Sequence, residues 1–451
     1  MISNNFSEKR IKEMKGENLM KKKMISVLMA GAMAVSMLAP AAVVSAEDNG
    51  DKVKLTFYGW SDEQDYLQPL FDAFNEQSET SYIEPQYCAV GEYEEVVTSA
   101  LSAGTPIDVL AINGLSPMSD YQSKDILVDM TEYADAAGFD PAATYQDTYS
   151  GANQDGMYGI PYRMAVWLMF YNKDLLSELG VDVQTDKSYT WDEFTAKCEE
   201  VEDKLKEKGM DIESDPNNGC YAGLVGMDKN VTIAQRGVSF LDDNAYDAIK
   251  EFWGIWNTLQ EDGTHLPYAE KLEYGTNVGS VYWVPGRVAF FQNATWGIAN
   301  YNEKVASGEM PFQYGVMPMP VPEGVEDGTN LSNPNFLGIP TTSEHPEEAY
   351  KFIQFACTHD GAKILAEQSV LPAYSDDEVT AAYTEATDQT DDVLQKIISS
   401  PNNKLTDLCF PEYAEVQAAY EEAMESYLVG NMSLDEAIAD FDGKKANILG
   451  E

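Results

Sequence analysis

Residues 158–180, YGIPYRMAVWLMFYNKDLLSELG, constrain this chain more than any other stretch. From Ile160 to Tyr171 the run is almost continuously apolar, with no alternation to separate an inner from an outer face. Such a segment reads as a strand buried on both sides. YNKDLL then turns it into a helix that Gly180 ends. A strand of this kind needs helices over both faces of its sheet, so the stretch asks for an α/β protein. One charge, Arg163, stands near its front edge. Because an unpaired buried guanidinium is costly, Arg163 must find a carboxylate or polar ligand atoms, and both readings stay open.

The alternation of strand and helix continues along the chain. VKLTFYGW (53–60) is predicted as a strand, followed by a helix with Leu67, Leu70, Phe71 and Phe74 on one face. DVLAI (108–112) is a second short apolar strand. Thr190 with Glu193 forms a capping box ahead of a helix whose Phe194, Cys198, Val201 and Leu205 share a face. A helix over 244–262 aligns Tyr246, Ile249, Trp253 and Trp256 and stops at Gly263. Pro346 opens a helix carrying Ala349, Phe352, Ile353 and Ala356, and Ser433 with Glu436 caps a last one. Parallel sheets covered by helices are the expected result. No internal repeat or low-complexity linker interrupts them.

At 451 residues and 44% hydrophobic, the chain is long enough for two or three domains with real cores. Its 29 Lys+Arg against 76 Asp+Glu give a net charge of −47. That charge repels phosphate backbones and anionic lipid, so nucleic acid and membrane surfaces are poor partners. Lysines 21–23 precede an Ala/Met/Val/Leu-rich run ending Val44-Ser45-Ala46, the pattern of an export signal cleaved after Ala46. Met20 is an alternative start, which would leave 1–19 untranslated; an uncleaved anchor is the other reading of the apolar run. Cleavage of 1–46 removes seven basic and three acidic residues, leaving 22 against 73 and a net −51. No later stretch is long and apolar enough to span a bilayer, so no membrane insertion is expected after cleavage. The five cysteines (Cys88, Cys198, Cys220, Cys357, Cys409) are scattered without a C-x-x-C pair, against a disulfide framework or structural zinc. One disulfide stays open, and Cys198 and Cys357 fall at apolar helix positions.

LTFYGWSDE, SAGTPIDVLAING, GMYGIPYRMAVWLMFYNKDLLSELGVD, YTWDEF, GRVAFFQNATW, FQYGVMPMPVPEG and FLGIPTTSEHPEEAYKFIQFAC follow one another in an order that resembles family 1 of the extracellular solute-binding proteins. These are the sugar-binding receptors of ABC importers, the group that includes maltose-binding protein. The resemblance covers nearly all of the mature chain. It implies two α/β lobes, each a mostly parallel sheet flanked by helices, with a ligand cleft between them that closes by hinge motion. Three chain crossings make both lobes discontinuous. The matching motifs place lobe one at 47–161 and 318–372, and lobe two at 162–317 and 373–451. The implied partners are a saccharide and ABC permease subunits; a monomer without cofactor or metal is expected.

Sugar hydroxyls call for planar charged or amide side chains, and the C–H faces of the rings call for aromatic platforms. Sites in open α/β sheets lie at carboxyl ends of strands. Trp60, Ser61, Asp62 and Glu63 follow the first strand there, and Asn113 and Gly114 follow the second. Of seven tryptophans, Trp191, Trp253 and Trp256 sit at core positions of predicted helices. Trp296, in FFQNATW, matches the family element that often presents a tryptophan to ligand, although Asn293-Ala294-Thr295 replaces the usual small residues. Trp283 is read equally as platform or packing residue. Tyr374 in LPAYS and Asn335 before FLGIP are further candidates. Arg163 and Trp167 share one side of the predicted strand, and Tyr162 with Arg163 matches the first crossing.

Enzyme signatures are absent: three histidines form no triad or metal cluster, and none of the common hydrolase, P-loop or metalloprotease motifs occurs. A secreted glycosidase or lyase acting through paired carboxylates, and a surface adhesin or sensor, are the alternatives to a receptor. LAPAAVVSAED lacks the lipid-anchoring cysteine common in the family, so a soluble exported protein is expected.

Overall fold

The computed structural model describes residues 52–145, 156–226, 229–387, 392–406, 410 and 412–450. The export segment with its cleavage site, and Cys409, lie outside the described residues. Among the described residues nine strands join in hydrogen-bonded order β2-β1-β3-β8-β4-β6-β5, with β7 also on β4 and β9 also on β8. They are β1 Val53–Trp60, β2 Ser81–Cys88, β3 Val109–Asn113, β4 Ile160–Asn172, β5 Tyr221–Leu224, β6 Val288–Ala294, β7 Tyr314–Met317, β8 Leu331–Gly338 and β9 Lys404–Leu405. The β1–β2, β1–β3, β5–β6 and β8–β9 pairs are parallel. Every antiparallel pair involves β4 or β8, the two long strands that run through the middle. This is an α/β architecture with helices packed along the strands.

Local signals in the sequence are realised where side chains can satisfy the backbone. Both capping boxes form: Thr190 Oγ1 accepts from Glu193 N–H and Ser433 Oγ from Glu436 N–H. Gly180 adopts the left-handed conformation that closes helix Lys173–Leu179. Helix Gln64–Gln77 buries Leu67, Leu70, Phe71 and Phe74 as its spacing predicts. Helix Ala245–Glu261 buries Ile249, Trp253 and Trp256, whereas Tyr246 is only half-buried. Cys198 and Cys357 are buried and unbridged, as are Cys88 and Cys220.

The interior divides into three apolar clusters. One combines β1–β3 residues such as Leu55, Phe57 and Ile112 with Tyr162, Phe336 and the helix Pro346–Ala356. A second takes Ala165, Trp167 and Met169 from one face of β4, with Trp253, Trp256, Leu331 and Tyr420. The third takes Val166, Leu168 and Phe170 from the other face, with Trp283 and Phe291. Thus β4 leaves the first cluster at Tyr162 and enters the others at Ala165.

Tyr162, assigned above to lobe two, packs in the first cluster with the lobe-one residues. Met319 and Leu331, assigned to lobe one, pack in the second cluster. The reason is local: Trp191 N–H donates to Val321 O at 3.0 Å and Gln235 Nε2 to Pro320 O at 2.8 Å, which ties 320–321 to that side. Among the described residues no helix is long and apolar enough to cross a membrane.

Candidate functional site

The neck between the first cluster and the other two carries a polar face. Across the sheet Asn113 of β3 lies opposite Asn335 of β8, and Asn335 lies opposite Arg163 of β4. Directly paired residues project to the same side of a sheet, and so do residues two apart along a strand. Asn113, Asn335 and Arg163 therefore form one row. Asn333 opposite Ala165 forms the next, and Trp167 continues that side of β4. Asn113 Oδ1 accepts from Asn333 Nδ2 at 3.2 Å and Asn335 Nδ2 at 3.3 Å.

Gly114 makes room for this cluster. Its φ is +89°, and a Cβ there would stand 2.6 Å from Asn333 Oδ1. Glycine both adopts that backbone angle and lets the carboxamide lie against the chain. Asn333 was not singled out from the sequence. The signal was present in SNPNFLG, where Asn333 and Asn335 are two apart and so share a strand face.

Beside the row, Arg163 resolves its sequence ambiguity through a carboxylate. Its Nη2 donates to Glu63 Oε1 and its Nε to Tyr162 OH at 3.0 Å. Glu63 is 2% exposed, at the end of the short 3-10 turn Ser61–Glu63. Burial pushes the Glu63 carboxyl up from its usual range, and Arg163 pulls it back. Burial opposes the charge on Arg163 most strongly of any single effect, but Glu63, Tyr162 and Tyr66 together outweigh it and hold the guanidinium well above its ordinary value. Tyr66, which hydrogen-bonds Glu63, joins the group and was missed because its half-buried place in the helix carries no distinct sequence pattern.

Several candidates change role in the structure. Trp60 is 7% exposed, with Tyr93 at 4.5 Å between ring centroids and the Arg163 guanidinium 5.9 Å from its own. It packs in the first cluster rather than offering an open platform. Glu63, Tyr162 and Arg163 are occupied with one another, while Ser61, Asp62 and Asn113 are exposed. Trp283 is 0% exposed, enclosed by Phe291 at 5.5 Å, Phe312 at 5.1 Å and Phe170 at 6.1 Å. The platform reading of Trp283 is therefore corrected: the π-helical turn Gly279–Trp283 directs it inward against β4 and β6.

Trp296 differs from all of these, at 43% exposed. Its ring meets Trp167 edge to face, with centroids 4.9 Å apart and planes at 83°. Trp167 is itself buried and braces the exposed indole. Tyr374 is half-buried at the third crossing and stands 6.2 Å from the His359 ring. An exposed indole and three clustered carboxamides suit non-covalent recognition of a polar solute. Among the described residues no group of three or more His, Cys, Asp or Glu gathers as metal ligands.

The family model for bacterial extracellular solute-binding proteins matches residues 41–363. The chain belongs to that family. A curated relative, an arabinooligosaccharide-binding protein of Halalkalibacterium halodurans, is 23% identical over 216 residues, 44% of this chain. The match spans only 43% of that relative's length. Among solved structures, a Rhizobium etli sugar transporter in an open conformation superposes with TM-score 0.71 at 23% identity, covering 87% of this chain and 99% of that one. An ABC substrate-binding protein of Listeria monocytogenes, bound to cycloalternan, gives TM-score 0.73 at 19% identity, with 88% and 98% covered. At such identities the structures establish the fold, and it is the two-lobed periplasmic-binding-protein fold.

Proposed function

We propose that this family member is the extracytoplasmic receptor of an ABC importer and captures a carbohydrate, mono- or oligosaccharide, between two lobes. The carrying observation is the exposed Trp296, braced by Trp167, beside the amide row Asn113, Asn333 and Asn335 on the neck's same side. An indole face covers sugar C–H groups, and carboxamides both donate to and accept from hydroxyls. The saccharide named for the Halalkalibacterium relative and the glycan bound by the Listeria protein support the ligand class.

In this reading the lobes correspond to the first cluster and to the other two, with crossings at about 163–165, 332–335 and 371–373. Closure about these crossings brings Trp296 toward Asn113. The chain is exported, loses its leader after Ala46, and delivers its ligand to permease subunits.

A thermal-shift panel of arabino-, manno- and gluco-oligosaccharides, polyols and cationic metabolites tests the assignment. One saccharide class should raise Tm, bind about 1:1, quench or shift tryptophan emission and be recovered unaltered. Conversion of the sugar into product would sink the receptor reading in favour of an enzyme.

A further inference from the structure

At the level of Arg163 and Met164, β4 has β8 on one edge and residues 371–373 on the other. Met164 N–H donates to Leu371 O at 2.9 Å and Ala373 N–H to Tyr162 O at 3.1 Å, while β8 runs along the opposite edge of β4. Pro334 stands opposite Met164, and Pro372 opposite Arg163. Because Met164 turns its N–H toward residue 371, the alternation of an antiparallel ladder turns the Pro334 nitrogen outward, where a strand tolerates proline. Pro372 has the same relation to Arg163 on the other side. Neither proline can donate a further ladder bond at this level.

Arg163, Met164 and Asn333 are half-buried there, whereas Pro334, Asn335 and Pro372 are buried. The β4–β8 register also shifts between Pro161 and Arg163, an irregularity of the kind that bends and twists a strand. At this irregularity Arg163 is held from the side by Glu63, which follows the end of β1, and by Tyr162.

We propose that Glu63 and Arg163 are a positioning pair that pins β4 to the β1 end of the neck, so that flexing falls on Met164–Val166 and the facing Ser332–Pro334. This rests on the hinged receptor reading above. A guanidinium forked between a buried carboxylate and the Tyr162 hydroxyl accepts little change of angle, and such a pair contributes more to geometry than to net stability. Arg163 then acts through the course of the crossing strand rather than by touching ligand. The residues that follow it, Met164 to Val166, are uncharged and are held by backbone ladder bonds and, at Val166, by the Thr295 hydroxyl rather than by an ion pair, which makes them the softer part of the crossing.

Amide hydrogen exchange on the full ligand-free protein and on Glu63→Gln tests the pair without any sugar. Peptides covering 160–166, 331–335 and 370–374 should exchange about tenfold or more faster in the variant, while β2 and helix Ala245–Glu261 keep their rates. Arg163→Lys keeps a cation on Glu63 without the fork and should fall between the two; it also serves if Glu63→Gln does not fold. Unchanged neck rates would overturn the proposal. So would acceleration spread evenly through all three clusters, which would make the pair an ordinary stabiliser. Failure here leaves the saccharide assignment standing, and failure of the saccharide panel leaves this exchange pattern standing.

Discussion

Trp283 and Trp296 stand on either side of β6, yet they occupy opposite kinds of surroundings. Trp283 is 0% exposed within a cage of phenylalanines, whereas Trp296 is 43% exposed and touches Trp167 by an edge-to-face contact. The first contributes through apolar area removed from water and through fitting a fixed cavity. The second leaves a large apolar ring in solvent, a cost that a binding partner removes. Neither local composition nor distance from β6 separates the two; what separates them is the turn that each occupies. Trp283 ends the Gly279–Trp283 turn facing β4, while Trp296 caps helix Gly297–Ser307 at the neck.

Two substitutions should split stability from binding along that line. Trp283→Ala, which empties a core site, should cost about 3–5 kcal/mol of stability. Chemical denaturation measures this, and the protein that remains folded should keep its saccharide affinity. Trp296→Ala should lower affinity by about 2 kcal/mol, roughly thirtyfold in Kd, with Tm nearly unchanged. Isothermal titration with the saccharide found by the panel reads that effect. An affinity loss at Trp283 equal to that at Trp296, without a stability loss, would erase the distinction between core and platform.

The amide row sharpens the same comparison, because it is polar where the Trp283 site is apolar. Gly114→Ala forces a Cβ to within 2.6 Å of Asn333 Oδ1 at a φ of +89°. A loss of about 1–2 kcal/mol in stability is expected from strain and displacement of the carboxamide. Affinity should fall too, since Asn333 can no longer bridge to Asn113. Wild-type denaturation and binding curves for this variant would show that the glycine is not needed to seat the amides.

The sequence carried most of the fold because the determining signals are local. An unbroken apolar run specified β4, capping boxes specified two helix starts, and Gly180 specified a helix end. The site was less legible because it depends on partners distant in the chain. Glu63 and Arg163 are one hundred residues apart, and only the contact between them decides that the arginine faces a carboxylate. Trp60 ends β1 at the position expected for a ligand platform, but Tyr93 from a separate helix occupies its ring. Asn333 became visible only when β8 was registered against β4 and β3. The packing of Tyr162, Met319 and Leu331 has the same origin, since the motif order shows where segments begin but not which core receives them.

The smallest expected effect concerns the outer edge of the neck, where an exposed ion cluster contrasts with the buried Glu63–Arg163 pair. His359 Nδ1 lies 2.7 Å from Asp376 Oδ2 and its Nε2 lies 3.6 Å from Glu378, which Lys363 also contacts. Hydrogen bonding to Asp376 raises the imidazole above its ordinary value. Backbone N–H donation from Val379 to Asp376, and Lys363 at Glu378, lower the two carboxyls. The imidazolium contribution is fully present below the unfolded histidine value and is lost as pH rises through the raised folded value. The carboxylate contributions are present above the unfolded acid values and are lost as pH falls through the lowered folded ones. The cluster is therefore tightest between about pH 5 and 6, above the ordinary carboxyl range and below the ordinary imidazole one. Exposure to solvent keeps its worth small. His359→Gln should lower Tm by about a degree at pH 5.5 and by less at pH 9, in parallel thermal scans against wild type. A larger loss at pH 9 would reverse the sign, and would mean that neutral His359 packing against Tyr374, rather than its charge, holds the third crossing to helix Asp377–Ala386.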